Sequence, residues 1–266
     1  MKKIIEFIKY IWMSKFLIAQ MTKREVGQQY RRSYLGVAWS LLEPLGFVAV
    51  LYLVFGIGLR GGRNLGVPFI VYLISGIAVI NLFTKVFSQG PNVVRSNSYI
   101  LHKVNFRISI LPIVSVLSSV VDHLIFMIPV TLILVLNGIF PHLFWFQIIY
   151  YLFALFIFMI GLTWFTSSVG IFFPDLSHII SVLSRMIFYF TPVFWTIDAV
   201  PEKLQRILKF NPLYYIAMGY RESLFWDIPF WEHPKQTAYF WGWTIFMLIV
   251  GILFFRRLRP YFADVI

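Results

Sequence analysis

Four ionisable side chains stand inside otherwise apolar runs of the sequence: Glu43, Lys85, Asp122 and Arg185. Such groups are costly in a bilayer and normally face protein or a water-filled cavity, so each is a candidate site. At 1.5 Å per residue, Glu43 lies about 13 Å from the inner end of its run and Arg185 about 12 Å from the inner end of its own. Equal depth and opposite charge suggest that they pair, either as an ion pair holding two helices or with a direct transport role. Pro44 removes one backbone hydrogen bond beside Glu43 and permits a kink there. Asp122 and His123 would lie roughly 20 Å up their run, as a satisfied polar cluster or as a proton relay.

Other chemistry is missing. Cysteine is absent, which excludes disulfides, a thiolate nucleophile and a cysteine metal site. His102, His123, His142, His178 and His233 lack the spacing that converges ligands on one helix face, so no metal site is expected. No HExxH, GxSxG or paired Asp-rich motif occurs, and no Lys follows Gly, so the GxxxxGK[ST] phosphate loop is missing too. Catalytic residues are expected to be none, and a membrane enzyme acting on lipid-linked sugar stays a weaker alternative.

The elements that must hold these residues are membrane helices. The chain is 59% hydrophobic and 13% charged, with a mean hydropathy of +0.79, more apolar surface than a water-soluble fold can cover. Apolar runs near 34 to 58, 68 to 90, 109 to 136, 144 to 173 and 237 to 255 exceed the ~20 residues needed to span, and a marginal run from 177 to 195 makes a sixth. The expected fold is all-α: one membrane domain over 1–266, with a cytoplasmic interface helix and lead-in (1–33), spans one to five (34–195), outer helices (196–236), and span six with a cytoplasmic tail (237–266). Although the formal charge is +12, nucleic acid is not the expected partner. Lys and Arg concentrate in the segments assigned to the cytoplasm, which puts both termini inside.

Within residues 2 to 20, a helical wheel places Ile4, Ile5, Phe7, Ile8, Ile11 and Trp12 opposite Lys2, Glu6 and Lys9, the pattern of a helix lying in the interface. It could be an anchor or a moving part beside span one. In the outer segment, Pro201 and Pro212 suit first helical positions, and Asn211 is a good N-cap for a helix to about Leu224. That helix is too short to span and too apolar for water, so a re-entrant or interfacial pair is expected. Residues 95 to 106, RSNSYILHKVNF, form either an interfacial turn or a helix that docks on a soluble partner; the missing energy-coupling site favours docking. Aromatic residues make up 20% of the chain. Most serve interface belts and packing, while Tyr34, Trp39, Tyr189 and Trp195 are candidates for lining a channel that stacks on sugar rings.

The stretch EVGQQYRRSYLGVAWSLLEPL resembles the first span of ATP-binding cassette (ABC-2) exporter permeases for lipid-linked polysaccharides. FGIGLRGGRNLGVPF, KVNF, RMIFYFTPVFW and LKFNPLYYIAMGYRESL fall where that family has matching motifs. The RG…GVPF and NPLYYIAMGYR stretches look closest to wall teichoic acid exporter permeases (TarG-type), with O-antigen (Wzm-type) and capsule permeases as near relatives. The resemblance implies a homodimer of six-span subunits in the bacterial plasma membrane with two copies of a cytosolic ABC ATPase. Undecaprenyl-pyrophosphate-linked polymer would pass outward through a channel at the dimer interface. Mg-ATP would be bound by the ATPase, leaving no cofactor in this chain. Residues 95 to 106 would be the coupling helix, so Arg95, Asn97, Tyr99, Lys103, Asn105 and Phe106, with Asp175, would meet the ATPase. The outer helices, 201 to 225, would carry Asn211, Pro212, Tyr214, Tyr215, Tyr220 and Arg221. Where related sequences often have Pro after KxNF and Arg before the Asp closing span four, this chain has Arg107 and Pro174.

Overall fold

A computed structural model describes residues 10–30, 34–58, 65–100 and 107–265, and among them there is no strand. In chain order the helices are α1 Lys15–Tyr30, α2 Trp39–Leu51, α3 Phe69–Gln89, α4 Leu111–Leu136 and α5 Gln147–Phe172. They continue as α6 Leu176–Phe190, α7 Glu202–Leu208, α8 Pro212–Arg221, α9 Pro234–Leu258 and α10 Phe262–Val265.

Among the described residues, five helical stretches are long and apolar enough to cross a bilayer: Gly36–Gly58, Phe69–Asn92, Ile108–Leu136, Leu143–Phe172 and Pro234–Tyr261. The expected sixth span is shorter. Helix α6 has 15 residues, about 22 Å against a hydrocarbon core of about 30 Å. Sequence ends it, because Thr191 precedes Pro192 and takes an extended conformation, φ −92 and ψ 132, as a residue before proline is pushed to do.

Helix α3 is the hub. Of its most apolar window 78% is buried, against 11% for the stretch containing α2. It packs on α4, α8, α6 and α5. The most extensive helix pair is α5 with α9, and glycine permits it. A Cβ on Gly161 would stand 2.7 Å from the Leu248 backbone nitrogen, and one on Gly251 2.2 Å from the Gly161 carbonyl oxygen. Small residues let helix backbones approach in a medium where no hydrophobic effect drives them together.

Pro44 sits inside the continuous helix α2. Beyond Leu51 the span runs on as a π-helical turn, Tyr52–Gly58. Residues 2 to 9 of the expected interface helix lie outside the described residues. Its continuation, α1, runs to Tyr30 and packs along α4, burying Ile18 and Thr22 while Trp12 and Phe16 stay exposed.

Candidate functional site

Between α1, α2, α3 and α4 lies a cavity of about 770 Å³. Its wall mixes aromatic side chains, Trp39, Phe47 and Phe126, with Gln29, Asn81, Ser88, Gln89 and Ser119, and carries Glu43, Lys85, Asp122 and His123. The embedded ion pair is therefore formed by other partners than expected: Lys85 Nζ donates to Asp122 Oδ2, tying α3 to α4. The Glu43–Arg185 pair is not found among the described ion pairs. The two helices do touch, since the Phe47 and Phe188 rings lie 5.5 Å apart, one helical turn beyond Glu43 and Arg185. Glu43 lines the cavity that holds Lys85, and both Glu43 and Arg185 are exposed.

A third carboxylate reaches this region from α1. Ser118 Oγ donates to Glu25 Oε1 at 3.3 Å. Burial holds the Glu25 carboxyl above its ordinary range, while the Ser118 hydrogen bond and the Lys85 charge oppose the shift. The Lys85 ammonium thus stands among carboxylates from α1, α2 and α4.

His123 connects the cavity to the outer helices. Its Nδ1 lies 3.1 Å from the Ala78 carbonyl and its Nε2 3.1 Å from the Tyr220 hydroxyl. A carbonyl only accepts, so Nδ1 is the donor, and the neutral ring then accepts from Tyr220 at Nε2. Both ring nitrogens are satisfied within the protein, which fits the polar-cluster reading of this position.

The outer pair follows its sequence signals closely. Asn211 caps α8 by accepting from the Leu213 amide at 3.0 Å, with Pro212 at the first helical position. Pro201 caps α7 rather than starting it. Helix α8 buries Tyr214, Tyr215, Tyr220 and Arg221. Arg221, wholly buried, donates to the carbonyls of Pro192 (2.7 Å), Val193 (3.0 Å) and Tyr72 (3.2 Å) and stacks on the Tyr72 ring at 3.5 Å. A Cβ on Gly76 would meet its guanidinium at 2.6 Å. Arg221 therefore clamps α8 to α3 and to the segment after α6, a role the sequence did not disclose. Tyr215 bonds Thr237 at 2.9 Å and Tyr150 at 3.1 Å, which ties α8 to α9 and α5.

A family model described as "ABC-2 type transporter" matches residues 17–225. The chain belongs to this family. The ABC-2 chain is 28% identical over 253 residues to "O-antigen export system permease protein RfbA" of Klebsiella pneumoniae, covering 94% of this chain and 95% of that protein. It is 25% identical to a Myxococcus xanthus protein of the same name, covering 88% and 87%. It is 19% identical to "Polysialic acid transport protein KpsM" of Escherichia coli, covering 92% and 94%. These names support O-antigen and capsule relatives and give no support to the expected teichoic acid type.

The remaining expected positions of the ABC-2 chain are dispersed. Of the channel candidates, Trp39 lines the cavity; Tyr34 and Tyr189 are exposed, and Trp195 Nε1 donates to the Tyr189 carbonyl at 3.2 Å. In the docking segment, Arg95–Ile100 forms a 3-10 stretch, with Arg95 donating to the Ile171 carbonyl at 3.1 Å and Asn97 to Val93 at 2.9 Å. Lys103, Asn105, Phe106 and the Tyr99 side chain lie outside the described residues. Asp175 is exposed at the start of α6. Arg107 stacks over the Tyr10 ring at 4.1 Å, so this departure from the family pattern ties the start of α4 to the N-terminal helix.

Proposed function

We propose that this chain is the transmembrane subunit of an ATP-driven exporter that carries lipid-linked polysaccharide, of the O-antigen or capsular class, outward across a bacterial plasma membrane. One observation carries the reading: a match to the ABC-2 family over residues 17–225 together with end-to-end similarity to polysaccharide export permeases. Energy would come from two copies of a cytosolic ABC ATPase that binds Mg-ATP and meets residues 95 to 106 and Asp175. Two copies of this chain would enclose the path. The faces left open around α2 and α6 carry Tyr34, Trp39, Glu43, Arg185 and Tyr189, groups suited to stacking on sugars and bonding their hydroxyls. Both termini would lie in the cytoplasm, with α6 as a short sixth crossing completed by the outer helices.

The test is reconstitution in vesicles with a cognate ABC ATPase from the same cell and undecaprenyl-pyrophosphate-linked O-antigen. ATP-dependent movement of polymer to the far side, lost when either subunit is omitted, is the expected result. Chemical turnover of the lipid-linked sugar by this chain alone would overturn the proposal in favour of an enzyme.

A further inference from the structure

The turn that ends the outer helical pair carries two histidine–carboxylate contacts used by neither the cavity nor the Arg221 clamp. His233 Nε2 lies 3.0 Å from Glu222 Oε1, and His142 Nε2 lies 2.5 Å from Asp227 Oδ1. They grip the π-helical turn Glu222–Trp226 at its two ends. His233 immediately precedes α9, and His142 precedes the 3-10 turn that enters α5. Neutral contacts cross the same ground: Trp145 Nε1 donates to the Leu224 carbonyl at 3.1 Å, and the Phe230 amide donates to Gln147 Oε1 at 2.7 Å. Asp227 takes a left-handed conformation with φ 57, uncommon for a residue other than glycine, so the turn relies on its contacts to hold its shape.

The contacts differ in burial. Glu222 is 6% exposed, whereas the Asp227 side chain is 62% exposed and screened by solvent. Around Glu222 stand His233 and Glu232 from the turn before α9, Tyr214 from α8 and Tyr151 from α5. Arg221, its neighbour in sequence, spends its guanidinium on the carbonyls of Pro192, Val193 and Tyr72. His142 faces Asp227 and the rings of Phe144 and Trp145.

We propose that Glu222 and His233 share one proton, and that its loss on alkalinisation releases the Glu222–Trp226 turn, a pH-responsive clasp joining α8 to α9 and to the entry of α5. With the proton present, the pair is imidazolium beside carboxylate or neutral acid beside neutral imidazole, and little net charge is buried. Without it, a carboxylate is left buried beside a neutral ring and the Glu232 charge. Burial already holds Glu222 above the usual carboxylate range, with His233 opposing. A group raised in the folded state stabilises fully below its unfolded value, and that stabilisation is lost as pH rises through the folded one. The clasp stands on this geometry whatever the chain transports.

The experiment is deuterium exchange of the full chain in lipid nanodiscs at pH 5.5 and 8.5, corrected for intrinsic exchange rates. Amides from 222 to 233 should lose about fivefold in protection at the higher pH while those of α3 hold steady, the factor that about 1 kcal/mol sets. His233→Gln should flatten this difference to within about twofold, and Glu222→Gln should keep the protected state at both pH values. His142→Gln should retain most of the dependence. A flat wild-type profile, an equal change in α3, or an undiminished dependence in His233→Gln would each overturn the proposal; the His233 variant changes a partly exposed side chain and does not depend on how Glu222→Gln folds.

Discussion

At the residue scale, the deepest charge outside the spans decides more than the charges within them. Arg221 satisfies three carbonyls from two chain segments and covers an aromatic ring. Its replacement by Met should cost about 3 kcal/mol, the range for leaving buried acceptors unpaired, while Lys should recover only part because it lacks the planar fork. Thermal unfolding in detergent, followed by near-ultraviolet dichroism, measures this directly. The sequence made Arg221 visible as part of a motif but hid its work, because Tyr72 and Val193 are far away in the chain and a clamp of this kind has no local spacing. Pairing was not legible: counting residues put Glu43 and Arg185 level, and Phe47 meets Phe188 one turn further along each helix, yet the two charges do not pair. Which way each side chain turns is set by neighbouring helices, and these placed Lys85 with Asp122 instead.

At the element scale, caps and breakers were the most legible features. Asn211 and Pro212 start α8, and Pro192 stops α6, as short-range sterics require. Glycine contacts were not legible, since nothing in a sequence says which glycine faces a neighbour. Gly161→Val should drive a side chain into the α9 backbone and destabilise the α5 and α9 pair by more than about 2 kcal/mol. Gly242→Ala, where a Cβ meets nothing within 4 Å, should be neutral or stabilise by up to about 1 kcal/mol. Melting temperatures of the two variants, compared in one detergent, check both. The docking of α1 carries a pH signature. Glu25 is held above the usual carboxylate range by burial, so its charge opposes docking as pH rises through the folded value. Glu25→Gln should therefore raise the melting temperature at pH 8 relative to pH 5, and a wild-type pH dependence that survives the substitution would count against this account.

For the whole molecule, composition alone established the membrane class, and the family match over residues 17–225 agrees with the resemblance read from the sequence. The number of crossings was harder to read, because a run of apolar residues does not disclose where the helix inside it stops. The run from 177 to 195 is long enough by composition; its helix ends at Phe190.

That early stop has a mechanical consequence for the surrounding lipid. As the proposed sixth crossing, a helix of about 22 Å would by itself leave some 8 Å of a normal hydrocarbon core unmatched on its exposed flank. A bilayer meets such a deficit by thinning or by tilting its proteins, at a fraction of a kcal/mol per Å. Vesicles with shorter acyl chains should therefore raise the melting temperature of the reconstituted chain, and longer chains should lower it. Extending α6 by replacing Pro192 with Leu should shift that optimum toward thicker membranes. On the proposed topology, acyl-chain length would then become a variable the protein senses through one short helix, with no binding site needed.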